Sequence, residues 1–316
     1  MYKQLIREQR YAIQLGLQEG RTISSIARQI GVSKSTVSRE VRRNGNRRGK
    51  YYYKPADELA SVRRERSVSN RRTPPQVLAE ARLLLVGEDW SPRQISGWMG
   101  KRGVCISHER IYQMVRADVT GELRAHTRHG MKYRRHKKLP RKTVATNIPG
   151  RVSIHQRPAE ADGRRFGDWE MDLIVGKGQK SALLTLTERS TNYILMRFLP
   201  DKRPATVAAA AWRTLLPFKG HALKTITTDN GTEFAAHRTI AKRLGTTVYF
   251  ADSYSAWQKG AVENANKLIR QYFPKGTDFN AVTAEQIRNV QFKINRRPRE
   301  KLNFDSPKNV FFKFLR

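Results

Sequence analysis

The chain has 316 residues, with 62 lysines and arginines against 27 aspartates and glutamates, a net charge of +35 and a pI of about 11. Such a length holds two or three domains with their own cores, and such a charge calls for a polyanionic partner, nucleic acid foremost. The single cysteine, Cys105, excludes a disulfide framework and a cysteine-rich zinc site.

Residues 1–150 carry 33 basic and 12 acidic residues and residues 151–316 carry 29 and 15, so both parts are basic. An anionic membrane is the alternative polyanion, but no basic amphipathic helix shows a clean apolar face. No apolar run reaches the roughly 18 residues of a spanning helix, and the opening Met1-Tyr2-Lys3-Gln4-Leu5 is not a signal peptide. A cytoplasmic protein without a membrane partner is expected.

Residues 1–45 read as three helices. Thr22 and Ser33 are natural N-caps, and Ile23, Ile26, Ala27 and Ile30 make one apolar face at helical spacing. Gly31 supplies the turn, and Val37 and Val41 anchor the last helix inward. Lys34, Ser35, Thr36, Arg39, Arg42 and Arg43 then face outward, as on a helix that enters a major groove. An ordinary helical hairpin with a solvated charged face is the competing reading.

Residues 46–75 read as a basic linker with one helix near 55–69. Its tyrosines Tyr51 to Tyr53 either follow a phosphate backbone or are plain linker. Residues 76–120 read as a second helix-turn-helix-like domain, with Ser91-Pro92 and Ser107 at helix starts and Gly103 at the turn. His108, Arg110 and Tyr112 raise a tyrosine recombinase, but its wider set of arginines and histidines is missing, and Tyr112 reads as core. Residues 121–160 read as a basic linker arm, with nine Lys or Arg and one Glu between 121 and 142. His126, His129 and His136 lie there without partners at zinc spacing.

From residue 161 the pattern changes to that of an α/β catalytic domain with a helical tail. Strands are predicted at 166–176, 181–188, 193–200, 223–228 and 246–250, and helices at 205–218, 232–244 and 257–273. Three antiparallel strands followed by alternating helices and strands imply a mixed five-stranded sheet.

Three acids stand out. Asp172 lies in an alternating strand that places Asp168, Glu170 and Asp172 on one side. The residues beyond it are apolar, so Asp172 is expected deepest in the sheet. Asp229 ends an apolar strand before Asn230-Gly231, where ligands of open α/β sheets gather. Glu263 lies on a helix whose buried stripe is Val262, Ala265, Ile269 and Phe273, with Lys267 and Arg270 on a neighbouring face. Singly, each has a structural explanation: a turn former for Asp229, an exposed Glu–Lys pair for Glu263. Jointly, three carboxylates can hold two Mg²⁺ (or Mn²⁺) about 3.5–4 Å apart for phosphoryl chemistry without a covalent nucleophile.

The runs Gly167-Asp168-Trp169-Glu170-Met171-Asp172-Leu173-Ile174, Thr228-Asp229-Asn230-Gly231-Thr232-Glu233-Phe234 and Tyr254-Ser255-Ala256-Trp257-Gln258-Lys259-Gly260-Ala261-Val262-Glu263-Asn264-Ala265-Asn266 resemble the core motifs of the IS-thirty family of bacterial insertion-sequence transposases. Leu268–Thr277, Asn295-Arg296-Arg297-Pro298-Arg299 and Ser306-Pro307 are similar to its later motifs, and 33 residues separate Asp229 from Glu263. Ala261-Val262 departs from the polar residues many relatives carry before the glutamate. The resemblance implies an RNase H-like catalytic fold, divalent metal, and cleavage and strand transfer at terminal inverted repeats, with Asp172, Asp229 and Glu263 as catalytic and metal-binding acids. Lys267 and Arg270 are expected on phosphates, and Asp168, Glu170 and Asn264 behind the metal ligands. Double-stranded DNA, as inverted repeats and target, is the expected partner, with a homodimer or larger assembly on the bacterial nucleoid. Two rivals remain: a DNA-binding regulator with a decayed nuclease domain, and a nuclease of the same fold that uses only water.

Overall fold

The computed structural model describes residues 4–46, 49–69, 73–131, 148–253 and 255–315, and the chain divides at Pro74 into two units. In the first, α1 (Arg7–Gln18), α2 (Ile23–Gln29) and α3 (Lys34–Asn44) form the expected three helices. Thr22 Oγ1 accepts from Ser25 N and Ser33 Oγ from Thr36 N, closing both helix starts, and Gly31 makes the turn at φ +69°. Ile26 and Val37 are fully buried. Helix α1 crosses α2 at Gly16, where a Cβ would lie 2.6 Å from the Ile26 side chain.

The segment read as a linker contributes to this unit. Helix α4 (Tyr53–Ser69) packs on α1, and Tyr51 and Ala56 are buried in the same core. Buried Arg10 ties three helices together, reaching Glu40 of α3 at 2.8 Å and Asp57 of α4 at 3.0 Å. The helix expected near 55–69 is present as α4, but one buried tyrosine and one buried alanine among many charges did not announce its packing.

The second unit begins with α5 (Pro75–Glu88), α6 (Pro92–Lys101), α7 (His108–Ala117) and the short α8 (Glu122–Ala125). Ser91 and Ser107 cap α6 and α7, and Ala81, Leu85, Ile95, Met99, Ile111 and Val115 form their core. Tyr112 is half-buried. Leu123 of the expected basic arm joins this core, while residues 132–147 of that arm, His136 included, lie outside the described residues. Phe304, at φ +56°, lays its ring where any Cβ on Gly97 would overlap it, locking α6 to the C-terminal part of the chain. Asp89 strengthens that junction by accepting from His126 and Tyr272.

The sheet comprises β1 (Val152–Ser153), β2 (Asp168–Val175), β3 (Ala182–Glu188), β4 (Ile194–Leu199), β5 (Thr225–Thr228) and β6 (Thr247–Phe250), in the order β1-β6-β5-β2-β3-β4. Strands β2, β3 and β4 are antiparallel neighbours, whereas β5 and β6 run parallel to β2. All five expected strands are present. The sixth, β1, pairs parallel with β6 through two residues, too few for any pattern to announce. Helix α9 (Pro204–Leu215) follows β4, α10 (His237–Leu244) follows β5, and α11 (Gly260–Tyr272), α12 (Ala284–Arg296) and α13 (Pro307–Phe314) follow β6. Helix α10 starts later than expected because Thr232–Phe234 forms a tight 3₁₀ turn first.

Alternation along the strands makes two cores. Trp169, Met171, Leu184 and Leu186 face α9, α10 and Phe311 of α13; Ile174, Leu183, Ile194 and Met196 face α11 and α12. Edge strand β4 is covered by side chains of α12. Asn295 accepts from Ile194 N and donates to Ile194 O, both at 2.8 Å, and Gln291 accepts from Met196 N. The amide thus replaces a missing neighbouring strand. Asn295→Ala leaves two buried backbone groups unpaired and is expected to cost about 2–3 kcal/mol in chemical denaturation.

Candidate active site

Strand register brings the two aspartates together. Strands β2 and β5 are parallel with Glu170 opposite Thr227, so two residues further on each chain stand Asp172 and Asp229. Asp229 lies just past β5, where its Oδ1 accepts from Gly231 N at 3.0 Å and shapes the turn. Helix α11 crosses above. Its Val262 N donates to Glu170 at 2.8 Å, and Asn266 Nδ2 donates to Asp172 Oδ2 at 2.7 Å. Lys259, the residue before α11, puts its Nζ 3.0 Å from Asp229 Oδ2 and 3.6 Å from Asp172 Oδ1.

Glu263 is half-buried on the same helix. Asn266 follows it by three residues on α11, so Glu263 lies on the flank of the helix that meets Asp172. Among the described residues, no three acidic, histidine or cysteine side chains stand close enough to hold one ion together. Two carboxylates are assembled on one ammonium, and Glu263 stands on α11 outside that group.

Asp172 is not the deepest acid of β2. Asp168 and Glu170 are at most 1% exposed, whereas 21% of the Asp172 side chain is open. Pairing with β5 covers residues 168–170 and stops short of Asp172, which is flanked on the other side by Thr185 of β3. Asp168 is held by Arg165, at 3.0 and 2.8 Å, and by Thr225 Oγ1. Glu170 is paired with Arg189 at 2.9 Å, and burial nevertheless raises its pKa.

Loss of water pushes the Asp172 carboxyl up to about 6; Lys259 opposes the shift and Asp229 adds to it. Burial disfavours charge on Lys259, but Asp172, Asp229 and Glu170 outweigh that and hold its ammonium above the usual lysine range. The linkage has a definite sign. Between the ordinary aspartate value of 3.8 and about 6 the folded chain binds the extra proton, so the Asp172 contribution to stability declines as pH rises through that window. Without metal, Asp172→Asn is therefore expected to gain on the wild type from pH 4 to pH 6, by about 1.4 kcal/mol per unit at most. Denaturant titrations at each pH measure the gap, and a constant gap contradicts the shift.

The other expected residues divide. Glu170 supports the site by seating the first turn of α11. Asp168 is remote from it, committed to Arg165 and Thr225. Asn264 is exposed, and Asn266 makes the hydrogen bond to Asp172 instead. Lys267 is exposed, but the Arg270 guanidinium is committed to the carbonyls of Val175, Phe273 and Pro274 at 3.2, 3.4 and 3.1 Å. In the first unit Lys34, Ser35, Arg39, Arg42 and Arg43 are exposed on α3 and Thr36 is half-buried. Lys259 and Asn266 lie within the family-like motif but carried no assigned role in the sequence, although Asn266 stands three residues from Glu263 on one flank of α11. Sequence reasoning also left Arg151 and His155 in the linker arm. Arg151 bonds Asn230 at 2.6 Å and His155 bonds Asp252 at 2.8 Å, beside the turn that carries Asp229. Trp257 is 75% exposed just before Lys259.

A helix-turn-helix unit in one chain with a sheet that juxtaposes carboxylates at the end of β5 defines an enzyme acting on nucleic-acid strands. Family models agree: a helix-turn-helix domain matches residues 1–44, and an integrase core domain matches residues 163–256. Over 98% of this chain and 96% of the relative, it is 38% identical to the transposase for insertion sequence element IS4351 of Bacteroides fragilis. It is 35% identical to the IS1086 transposase of Cupriavidus metallidurans, covering 99% of this chain and 96% of that one. It is also 35% identical to the transposase InsI of IS30C from Escherichia coli, covering 97% and 82%. The chain belongs to the IS30 (IS-thirty) family of DNA transposases, polynucleotidyl transferases of the Asp-Asp-Glu type with an integrase core. No helix among the described residues is long and apolar enough to cross a membrane.

Proposed function

We propose that this transposase cuts and joins DNA at the inverted-repeat ends of an insertion sequence, with Asp172, Asp229 and Glu263 as its catalytic acids. The observation that carries the reading is the meeting of Asp172 and Asp229, from neighbouring parallel strands, on one shared cation beneath the helix of Glu263. The donor set suits hard divalent ions: a largely buried Asp172 and a more open Asp229 share one ammonium, and Glu263 adds a third carboxylate from α11. Two Mg²⁺ or Mn²⁺ held there would stabilise the attacking and leaving oxygens of an in-line displacement.

The protein's own groups set the geometry. Asn266 orients Asp172, Gly231 N orients Asp229, and Glu170 holds the first turn of α11 over both. Water is the first nucleophile and leaves a 3′-OH; that hydroxyl then attacks a second phosphodiester, so one P–O bond forms as another breaks. Exposed Lys267 meets phosphate at the mouth, and Arg270 supports the C-terminal end of α11. Lys34, Ser35, Thr36, Arg39, Arg42 and Arg43 present a basic helix face to double-stranded DNA, repeats or target. Two ends require two sites, so a dimer or larger assembly forms on DNA at the nucleoid.

The test is a strand-transfer assay with labelled inverted-repeat DNA, a target duplex and Mg²⁺. Joined product is expected. Cleavage without joining would identify a hydrolytic nuclease, and binding without cleavage a regulator; either result overturns the reading.

A further inference from the structure

Lys259 is a costly residue at this position. Its side chain is 6% exposed, yet it ends in an ammonium held between two carboxylates. A buried lysine is tolerated only where its charge is matched, and here both matching groups are the acids proposed to bind metal. The oxygens involved are specific. Asp172 Oδ2 is taken by Asn266 and Asp229 Oδ1 by Gly231 N; Asp172 Oδ1, which also accepts from Leu173 N at 3.0 Å, and Asp229 Oδ2 border the gap between the two acids. Lys259 Nζ fills that gap. A bridging Mg²⁺ would need the same two oxygens at about 2.0–2.1 Å, which leaves no room for an ammonium between them.

We infer that Lys259 is an internal counter-cation standing in the metal position, so that metal binding proceeds by its displacement. This deepens the proposed function and rests on Asp172 and Asp229 being metal ligands. The chain is built for the exchange. Lys259 lies at the joint between a 3₁₀ turn and α11, with φ −120° and ψ 44°, and nothing lies within 4 Å of a Cβ built on the following Gly260. Its four-carbon stem keeps a displaced ammonium at the mouth, where a DNA phosphate accepts it. Without DNA the lysine offsets one of the two carboxylate charges and keeps metal affinity low. Bound DNA offers the ammonium a new partner, so DNA and metal favour each other's binding, and the coupling is reciprocal.

The experiment measures Mn²⁺ binding to the full-length chain without DNA, from the electron paramagnetic resonance signal of free Mn²⁺. Lys259→Met is expected to bind Mn²⁺ at least tenfold more tightly than the wild type, and K259Q to follow it if the methionine variant folds poorly. Added inverted-repeat DNA should tighten Mn²⁺ binding in the wild type and do so much less in the variants. A merely structural lysine would lower the melting temperature without raising Mn²⁺ affinity. Equal or weaker Mn²⁺ binding in both variants, still abolished by D229N, would overturn the displacement and spare the metal site. Mn²⁺ binding indifferent to D229N in every background would overturn both.

Discussion

Asp229→Asn is expected to abolish strand transfer, by at least about a thousandfold, while DNA binding stays near normal. The substitution keeps the shape of the side chain and an oxygen that can accept from Gly231 N, so the turn after β5 survives. What disappears is one negative charge, opposite Lys259 and beside Asp172. In the proposed mechanism a divalent ion would need that charge, and the transition state would need the ion. The helix-turn-helix belongs to the other unit of the chain and keeps its caps, core and exposed basic face. A gel-shift titration beside the strand-transfer assay separates the two effects. Joined product from a cleanly purified Asp229→Asn chain would remove Asp229 from the catalytic set.

Glu188→Leu is expected to give the largest loss of stability, about 3–5 kcal/mol, or roughly 10 °C in melting temperature. Glu188 is fully buried at the end of β3. Its carboxylate accepts from Gly167 N at 3.1 Å, Ser190 N at 3.2 Å and Thr191 N at 2.7 Å, and also from the Ser190 and Thr191 hydroxyls. One carboxylate thereby closes the β3–β4 turn and ties it to the entry of β2. Leucine fills similar space but satisfies none of the three amides, and each stranded buried donor costs about 1–3 kcal/mol. Glu188→Gln keeps one acceptor oxygen and should lose roughly half as much. Denaturant midpoints of the three proteins order the effect; equal midpoints would refute the role.

Much of this protein could be read along the chain because the signals are local. Thr22, Ser33, Ser91 and Ser107 cap helices as their residue types dictate, and the turns at Gly31 and Gly103 follow from backbone freedom at positive φ. The five longer strands announced themselves by apolar runs. Where signals were short the reading fell behind: the helix near 55–69 was legible but its packing through Ala56 and Asp57 onto the first three helices was not, and β1 is two residues long.

The sequence alone determined which residue types the chemistry has at its disposal: a great excess of cations, a helix-turn-helix, and Asp172, Asp229 and Glu263 in motifs of one transposase family. Only the tertiary structure decided what those acids face. The β2–β5 pairing stops short of Asp172, which is more exposed than Asp168 and Glu170, and the approach of α11 brought Asn266 and Lys259 onto the aspartates. The reason is physical. Helical and strand periodicity record which way a side chain points, but burial and charge pairing depend on where neighbouring elements stop and cross, and those limits are set by contacts between residues far apart in the chain.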